Sequence, residues 1–165
     1  MLKREEHPFG PIYDESSRIL ILGSFPSVKS REESFFYGHP QNRFWKVIKS
    51  VTGYKGEILT IEEKTRMLKE HHIALWDTIA SCDIEGSSDS SIRNAIANDL
   101  SEIIETGKIS AIFCNGNTSL KLYKKYSENM TGISAKALPS TSPANASWSL
   151  EKLIEKWREE ISPYI

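Results

Sequence analysis

His39 and Asn42 sit three positions apart in the segment YGHPQNRFWKVI, residues 37–48. The amide carbonyl of Asn42 can accept from a water molecule without ionising, which suits the placement of that water for attack. An imidazole such as His39 can donate to a carbonyl or anionic oxygen of a ligand. Each residue also has a structural reading: asparagine caps helices, and a histidine beside proline often makes a turn contact. The two roles of Asn42 are compatible. The segment follows the apolar run RILILGSFPS, a buried strand ending in a tight loop. Reactive polar groups at a strand's carboxyl end, held by an aromatic-rich helix, are the usual setting of an α/β enzyme site.

Other polar residues follow apolar runs in the same way. Asp77 ends the run ALWD, Asn115 ends the run around CNGN, and the loop PSTSPANAS follows a run ending at Leu138. Asp77 can accept from a ligand N–H, or cap a helix, or pair with an arginine. Asn115 can offer an amide donor and acceptor to a ligand, or simply form the Asn-Gly turn with Gly116. Phe25 and Tyr37 are candidates for a ring stacked in the same cleft, and Phe25 reads equally as core. Phe35, Phe36, Phe44 and Trp45 are read as packing.

The elements that must position these residues are legible from periodicity. Arg18–Gly23, Ile73–Trp76, Ala111–Cys114 and Ala135–Leu138 are expected strands. Residues 1–17 are expected to be a polar surface lead-in, and residues 24–41 a long functional connection. After Pro40, the positions of Phe44, Val47, Ile48 and Val51 predict a helix that Gly53 ends. Thr60 and Glu63 have capping-box spacing for a helix to Glu70. Helical patterns are read at Ile92–Ile96, Leu100–Ile104 and Ser119–Tyr126, with Ser81–Ser91 as a polar segment. Leu150, Leu153, Ile154, Trp157 and Ile161 form one stripe of a last helix. Strands alternating with helices predict an α/β fold whose parallel sheet is covered on both faces, with the strand ends on one edge.

The 165 residues, 39% of them apolar, suffice for one globular domain over 1–165. Twenty-one basic residues against twenty-two acidic ones give a net charge of −1, so any nucleic-acid contact must be local. Lys29, Arg31 and Arg43 are candidates for phosphate contact, set against the ordinary solvated lysine or arginine. Cys82 and Cys114 cannot make a four-cysteine site, and no spacing matches a metal-site pattern. No apolar run approaches membrane-spanning length. The expectation is a cytoplasmic monomer, at the nucleoid if the source is a prokaryote, with no metal and no cofactor.

The segments GSFPS, YGHPQNRFWKVI and LPSTSPANASWSLEKL resemble the uracil-DNA glycosylase superfamily, close to its mismatch-specific uracil/thymine-DNA glycosylases. The likeness covers roughly residues 18–157, and the segments occur in the family's order. One departure matters. The family places Asp, Asn or Glu third in the first motif, where Gly23-Ser24-Phe25-Pro26 has Phe25, which can neither accept a proton nor hold a water. GSFPS with HPQNRFW, ALWDTIASCD and GSSDSSI is similar to the hypoxanthine-DNA glycosylase branch, which lacks the usual first-motif residue. The resemblance implies a three-layer α/β/α fold on a four-stranded, mainly parallel sheet. It implies DNA as the partner and hydrolytic removal of deaminated bases, hypoxanthine above all, with uracil or xanthine beside it. It further implies Asn42 as the catalytic residue, and Phe25, Tyr37, His39, Asp77 and Asn115 around the base. Ser24, Ser27, Ser140, Thr141, Ser142 and Asn145 would lie against the DNA. No lysine stands at an obvious nucleophile position, which favours a monofunctional enzyme over a Schiff-base lyase. The competing readings are a uracil or G:U/G:T mismatch glycosylase, a non-catalytic relative that binds DNA or a nucleotide, and a small-molecule nucleosidase.

Overall fold

A computed structural model describes residues 1–165. In chain order the elements are β1 (Lys3–Glu6), β2 (Ile19–Gly23), α1 (Val28–Glu33), α2 (Phe44–Thr52), α3 (Ile61–Glu70), β3 (Ile73–Asp77) and β4 (Ile79–Glu85). Then come β5 (Ser88–Ala97), α4 (Ser101–Thr106), β6 (Ala111–Asn115), α5 (Asn117–Tyr126), α6 (Glu128–Thr131), β7 (Ala135–Leu138) and α7 (Leu150–Ile161).

The uninterrupted apolar run of β2 has a simple cause: Ile19, Leu20, Ile21 and Leu22 are all fully buried, because helices cover both faces of the sheet. The main sheet has the order β3-β2-β6-β7, and every pairing is parallel. This is the expected three-layer α/β/α arrangement. On its flanks α3 packs on β3, α5 on β6 and β7, and α2 on α7. The apolar stripe of α2 is buried at Phe44, Val47, Ile48 and Val51, and Gly53 ends the helix in a left-handed conformation, φ +70°. The Thr60–Glu63 capping box is formed: Glu63 N–H donates to Thr60 Oγ1 at 3.1 Å and Thr60 N–H to Glu63 Oε1 at 2.8 Å.

Three sequence readings are corrected. Residues 1–17 are more than a surface lead-in: β1 pairs antiparallel with β4, and Ile12 bridges backbone to backbone with Leu75 at the sheet edge. Ile92–Ile96 is strand, not helix. It lies in β5, which forms with β4 and β1 a second, three-stranded antiparallel sheet. The polar segment Ser81–Ser91 is the tip of that β4–β5 hairpin. Gly86-Ser87 makes the two-residue turn, Gly86 sitting at φ +57°. Register shifts along the hairpin break the alternation that would have marked a strand. The connection 24–41 also contains a short helix, α1, capped by Ser27.

Candidate active site

The parallel register brings the chemistry-bearing strand ends to one edge. Gly23 of β2 lies beside Asp77 of β3, and Asn115 of β6 lies opposite Leu138 of β7, just before the 139–149 loop. Between them opens a cavity of about 310 Å³. Ser24, Phe25, Ser27, Tyr37, His39, Asn42, Asp77, Asn115, Ser140, Thr141 and Ser142 all line it. Asn145 does not. It borders an adjoining depression that runs past the start of α5. Its amide donates to the Ser140 carbonyl at 3.0 Å, which folds the loop on itself.

Asp77 is buried, and His7 Nε2 donates to its Oδ2 at 2.7 Å. The imidazole lies among the rings of Phe9, Trp76, Phe25 and Phe36. His7 lies in the segment read as lead-in, and no local signal marked it: its partner is seventy residues away. The other side of Asp77 faces Gly23 and Tyr37. A Cβ on Gly23 would stand 2.4 Å from Asp77 Oδ1 and 3.0 Å from Tyr37 Oη, so only glycine lets these groups meet. Tyr37 holds a left-handed backbone, φ 51°, and its ring stacks on Phe44 at 4.1 Å. Strain of this kind persists only where surrounding packing imposes it. The Tyr37 hydroxyl is buried without a hydrogen-bond partner. Burial first, and the charge of Asp77 second, push its pKa far above the ordinary phenol range, so it remains a neutral donor.

A polar chain links the other strand ends. Asn115 Nδ2 donates to Thr141 Oγ1 at 2.9 Å, Thr141 N–H donates to Asn115 Oδ1 at 3.0 Å, and Thr141 Oγ1 donates to Asn42 Oδ1 at 2.9 Å. Asn42 Oδ1 also accepts from Phe44 N–H at 2.9 Å, at the start of α2. The backbone donor fixes which end of the Asn42 amide is oxygen. Arg43, not Asn42, is the N-cap of α2; Asn42 satisfies the first helical N–H from one residue earlier, and with both lone pairs of its carbonyl used, that carbonyl is not the group left to place a water. The Asn42 Nδ2, which has no partner within the protein, is the end left for a ligand or water. Asn115 is occupied on both amide atoms by Thr141, which makes it a latch between β6 and the loop. His39 accepts from Gln41 N–H on Nδ1 at 3.1 Å, which places the proton of the neutral ring on Nε2 as a donor.

Phe25 is 6% exposed and packs with Ile79, Cys82 and Ile84 of the hairpin, while its edge reaches the cavity. Core and pocket wall are one residue here. Arg43 is unavailable to phosphate: its guanidinium donates to the carbonyls of Thr141, Ser142, Asn145 and Trp148, pinning the loop. Arg31 likewise donates to Pro26 O at 2.7 Å and Gly86 O at 3.1 Å, and Lys29 pairs with Glu33. Burial pushes the Cys82 thiol to about 11 and Cys114 to about 12, so neither is a nucleophile at neutral pH. No group of three or more His, Cys, Asp or Glu side chains is arranged to hold a metal ion. No helix is long and apolar enough to cross a membrane.

The sequence reading missed one further cavity residue, Asp89, near the tip of the hairpin. Its signal was the Gly-Ser turn pair at 86–87, which fixes a hairpin and hence which residues reach back over the sheet edge. Burial raises the Asp89 carboxyl to about 6, with the nearby Ser24 hydroxyl opposing the shift and the charge of Asp77 adding to it.

A parallel sheet covered on both faces, with a polar cavity walled by aromatic rings over its strand ends, defines an α/β domain with its candidate site at the carboxyl edge of the sheet. The family model of the uracil DNA glycosylase superfamily matches residues 11–163, and the chain belongs to that superfamily. It is 35% identical over 149 residues to a hypoxanthine DNA glycosylase of Methanosarcina acetivorans, covering 90% of this chain and 92% of the relative. It is 32% identical to a hypoxanthine DNA glycosylase of Methanosarcina barkeri, covering 92% and 94%. Among solved structures it is similar to the solution NMR structure of a candidate uracil DNA glycosylase from Methanosarcina acetivorans. The TM-score is 0.76 and the identity 34%, over 96% of this chain and 98% of that one.

Proposed function

We propose that this chain is a monofunctional DNA glycosylase that flips deaminated bases out of DNA and hydrolyses their glycosidic bond, with hypoxanthine in deoxyinosine as the first substrate. The observation that carries the reading is the near full-length likeness to two relatives named hypoxanthine DNA glycosylase. The site is compatible with it. Asp77 is a buried acceptor suited to the N1–H of hypoxanthine, and Tyr37 Oη and His39 Nε2 are donors for the charge that builds on the departing base. Asn42 holds the attacking water through its free Nδ2, since its carbonyl is committed to Phe44 and Thr141. Ser27, Ser140, Ser142 and Asn145 form the rim against the DNA backbone, while the sequence-predicted contacts Ser24 and Thr141 are buried beneath it, Thr141 holding the loop from below. The 165 residues act as one uracil-DNA-glycosylase-like domain, as a monomer, inside the cell where DNA is found.

The test is single-turnover cleavage of labelled duplexes containing deoxyinosine, deoxyuridine or deoxyxanthosine. Alkali-labile abasic sites are expected first from deoxyinosine. Asn42→Ala is expected to slow the step by about 100-fold or more while still binding the duplex. Failure of the wild-type protein on all three lesions would end the glycosylase reading and leave a binding relative, the alternative that Phe25 motivates. Faster cleavage of free deoxyinosine than of the duplex would point to a nucleosidase.

A further inference from the structure

Base excision by hydrolysis needs an acceptor for the proton of the attacking water. Five positions in the cavity come into question, and four are committed elsewhere or lack an acceptor. Phe25 occupies the position that usually carries the acid and has no acceptor. Asn42 Oδ1 already takes two hydrogen bonds. Asp77 Oδ2 is bound to His7 at 2.7 Å, and Oδ1, beside Gly23 and Tyr37, is the acceptor that the proposed function gives to the base. His39 uses its basic nitrogen, Nδ1, on the Gln41 backbone. The remaining acceptor that lines the cavity is the Asp89 carboxylate. It is carried on a hairpin whose turn is tied to the Gly23-Ser24-Phe25-Pro26 loop through Arg31, which bonds both Pro26 O and Gly86 O.

Resting on the glycosylase reading, we propose that Asp89 is the catalytic base of this enzyme, a carboxylate supplied by the β4–β5 hairpin in place of the one missing at Phe25. In the step, the water oxygen bonds to C1′ as the C1′–N bond breaks. The bonding pair leaves with the base, the water proton passes to Asp89, and Asp89 then returns it to the expelled base. Water and nucleotide become abasic sugar and neutral base, with no other reactant. Two carboxylates in one cleft are thereby given different tasks by their surroundings: Asp77, hydrogen-bonded to His7, holds the base, and Asp89, lacking a cationic partner, moves the proton. The groups facing Asp89 are the Ser24 hydroxyl after β2, Asp77 on β3, the neutral Tyr37 phenol and, on β4, the protonated Cys82 thiol, with Arg31 on α1 beyond the turn. A carboxyl held near pH 6 in this setting is ionised at neutral pH and basic enough to accept a proton.

The experiment is single-turnover excision from a deoxyinosine duplex between pH 5 and 9, comparing wild type, Asp89→Asn and Asp89→Glu, with thermal melts of each. The wild-type rate is expected to rise with pH and level off above pH 6. Asp89→Asn is expected to be slower by about 100-fold or more with that rise abolished, and Asp89→Glu to recover part of both. An Asp89→Asn protein within threefold of wild type, with the same pH profile, overturns the assignment and leaves the glycosylase reading standing. So does an Asp89→Asn protein that melts well below wild type, since that makes Asp89 structural. A wild-type protein inert on deoxyinosine, deoxyuridine and deoxyxanthosine overturns both.

Discussion

Thr141→Val is the sharpest probe of how the site is held. Thr141 is fully buried, and valine keeps its shape while removing the hydroxyl. Two side-chain hydrogen bonds are lost, the one accepted from Asn115 and the one donated to Asn42, both 2.9 Å. Each is worth about 1 kcal/mol net, and a stranded buried polar atom adds about 1–3 kcal/mol. Asn42 and Asn115 are only half-buried, so water can relieve part of this. The expected destabilisation is about 2–3 kcal/mol, read from urea unfolding with an unchanged m-value. Asn42 keeps its bond to Phe44 N–H but loses its second anchor. If that loosening costs about 1.4 kcal/mol in the transition state, deoxyinosine excision slows about tenfold. Asn115→Ala on the Thr141→Val background is expected to cost less than alone, with a coupling of at least about 0.5 kcal/mol. Stability within about 0.5 kcal/mol of wild type, an unchanged rate and strict additivity with Asn115→Ala would refute the chain from β6 through the loop to α2.

Two further outcomes are expected. His7→Ala strips a buried carboxylate of its partner and is expected to lower stability by about 3 kcal/mol, measured by urea denaturation; a change under about 1 kcal/mol would show that Asp77 does not depend on His7. Asp89 has a folded value of about 6, above its ordinary 3.8, so its contribution to stability is full below 3.8 and lost as pH rises through 6. After allowance for partial exposure, the ionised group costs about 1–2 kcal/mol at pH 8, and Asp89→Asn removes that cost. Its melting temperature is expected to exceed wild type by a few degrees at pH 8 and not at pH 4, in thermal melts at both values. The opposite order would place Asp89 among stabilising contacts.

Much of the site was legible because it lies in continuous segments. Asn42, Asp77 and Asn115 each follow or end an apolar run, and a parallel sheet sends all such ends to one edge. The capping box at Thr60 and the stripe of α7 were legible for the same reason: helix signals act within a turn or two. The hairpin was not. Its register shifts and polar exposed positions erase the period of two, so Ile92–Ile96 read as helical and Asp89 drew no role. Its stability comes from burying Ile79, Cys82 and Ile84 against Phe25, a contact across the chain that no window of residues contains.

The sequence by itself determined the alternation of strands and helices, the family and the set of residues delivered to the cleft, because local periodicity and motif order carry that information. The tertiary structure alone decided what each residue is free to do. It turned the carbonyl of Asn42 toward Thr141, placed His7 behind Asp77, spent Arg43 on the 139–149 loop and brought Asp89 over the sheet edge. The reason is that availability depends on hydrogen-bond partners tens of residues away, and a side chain's partners exist only once the chain has folded.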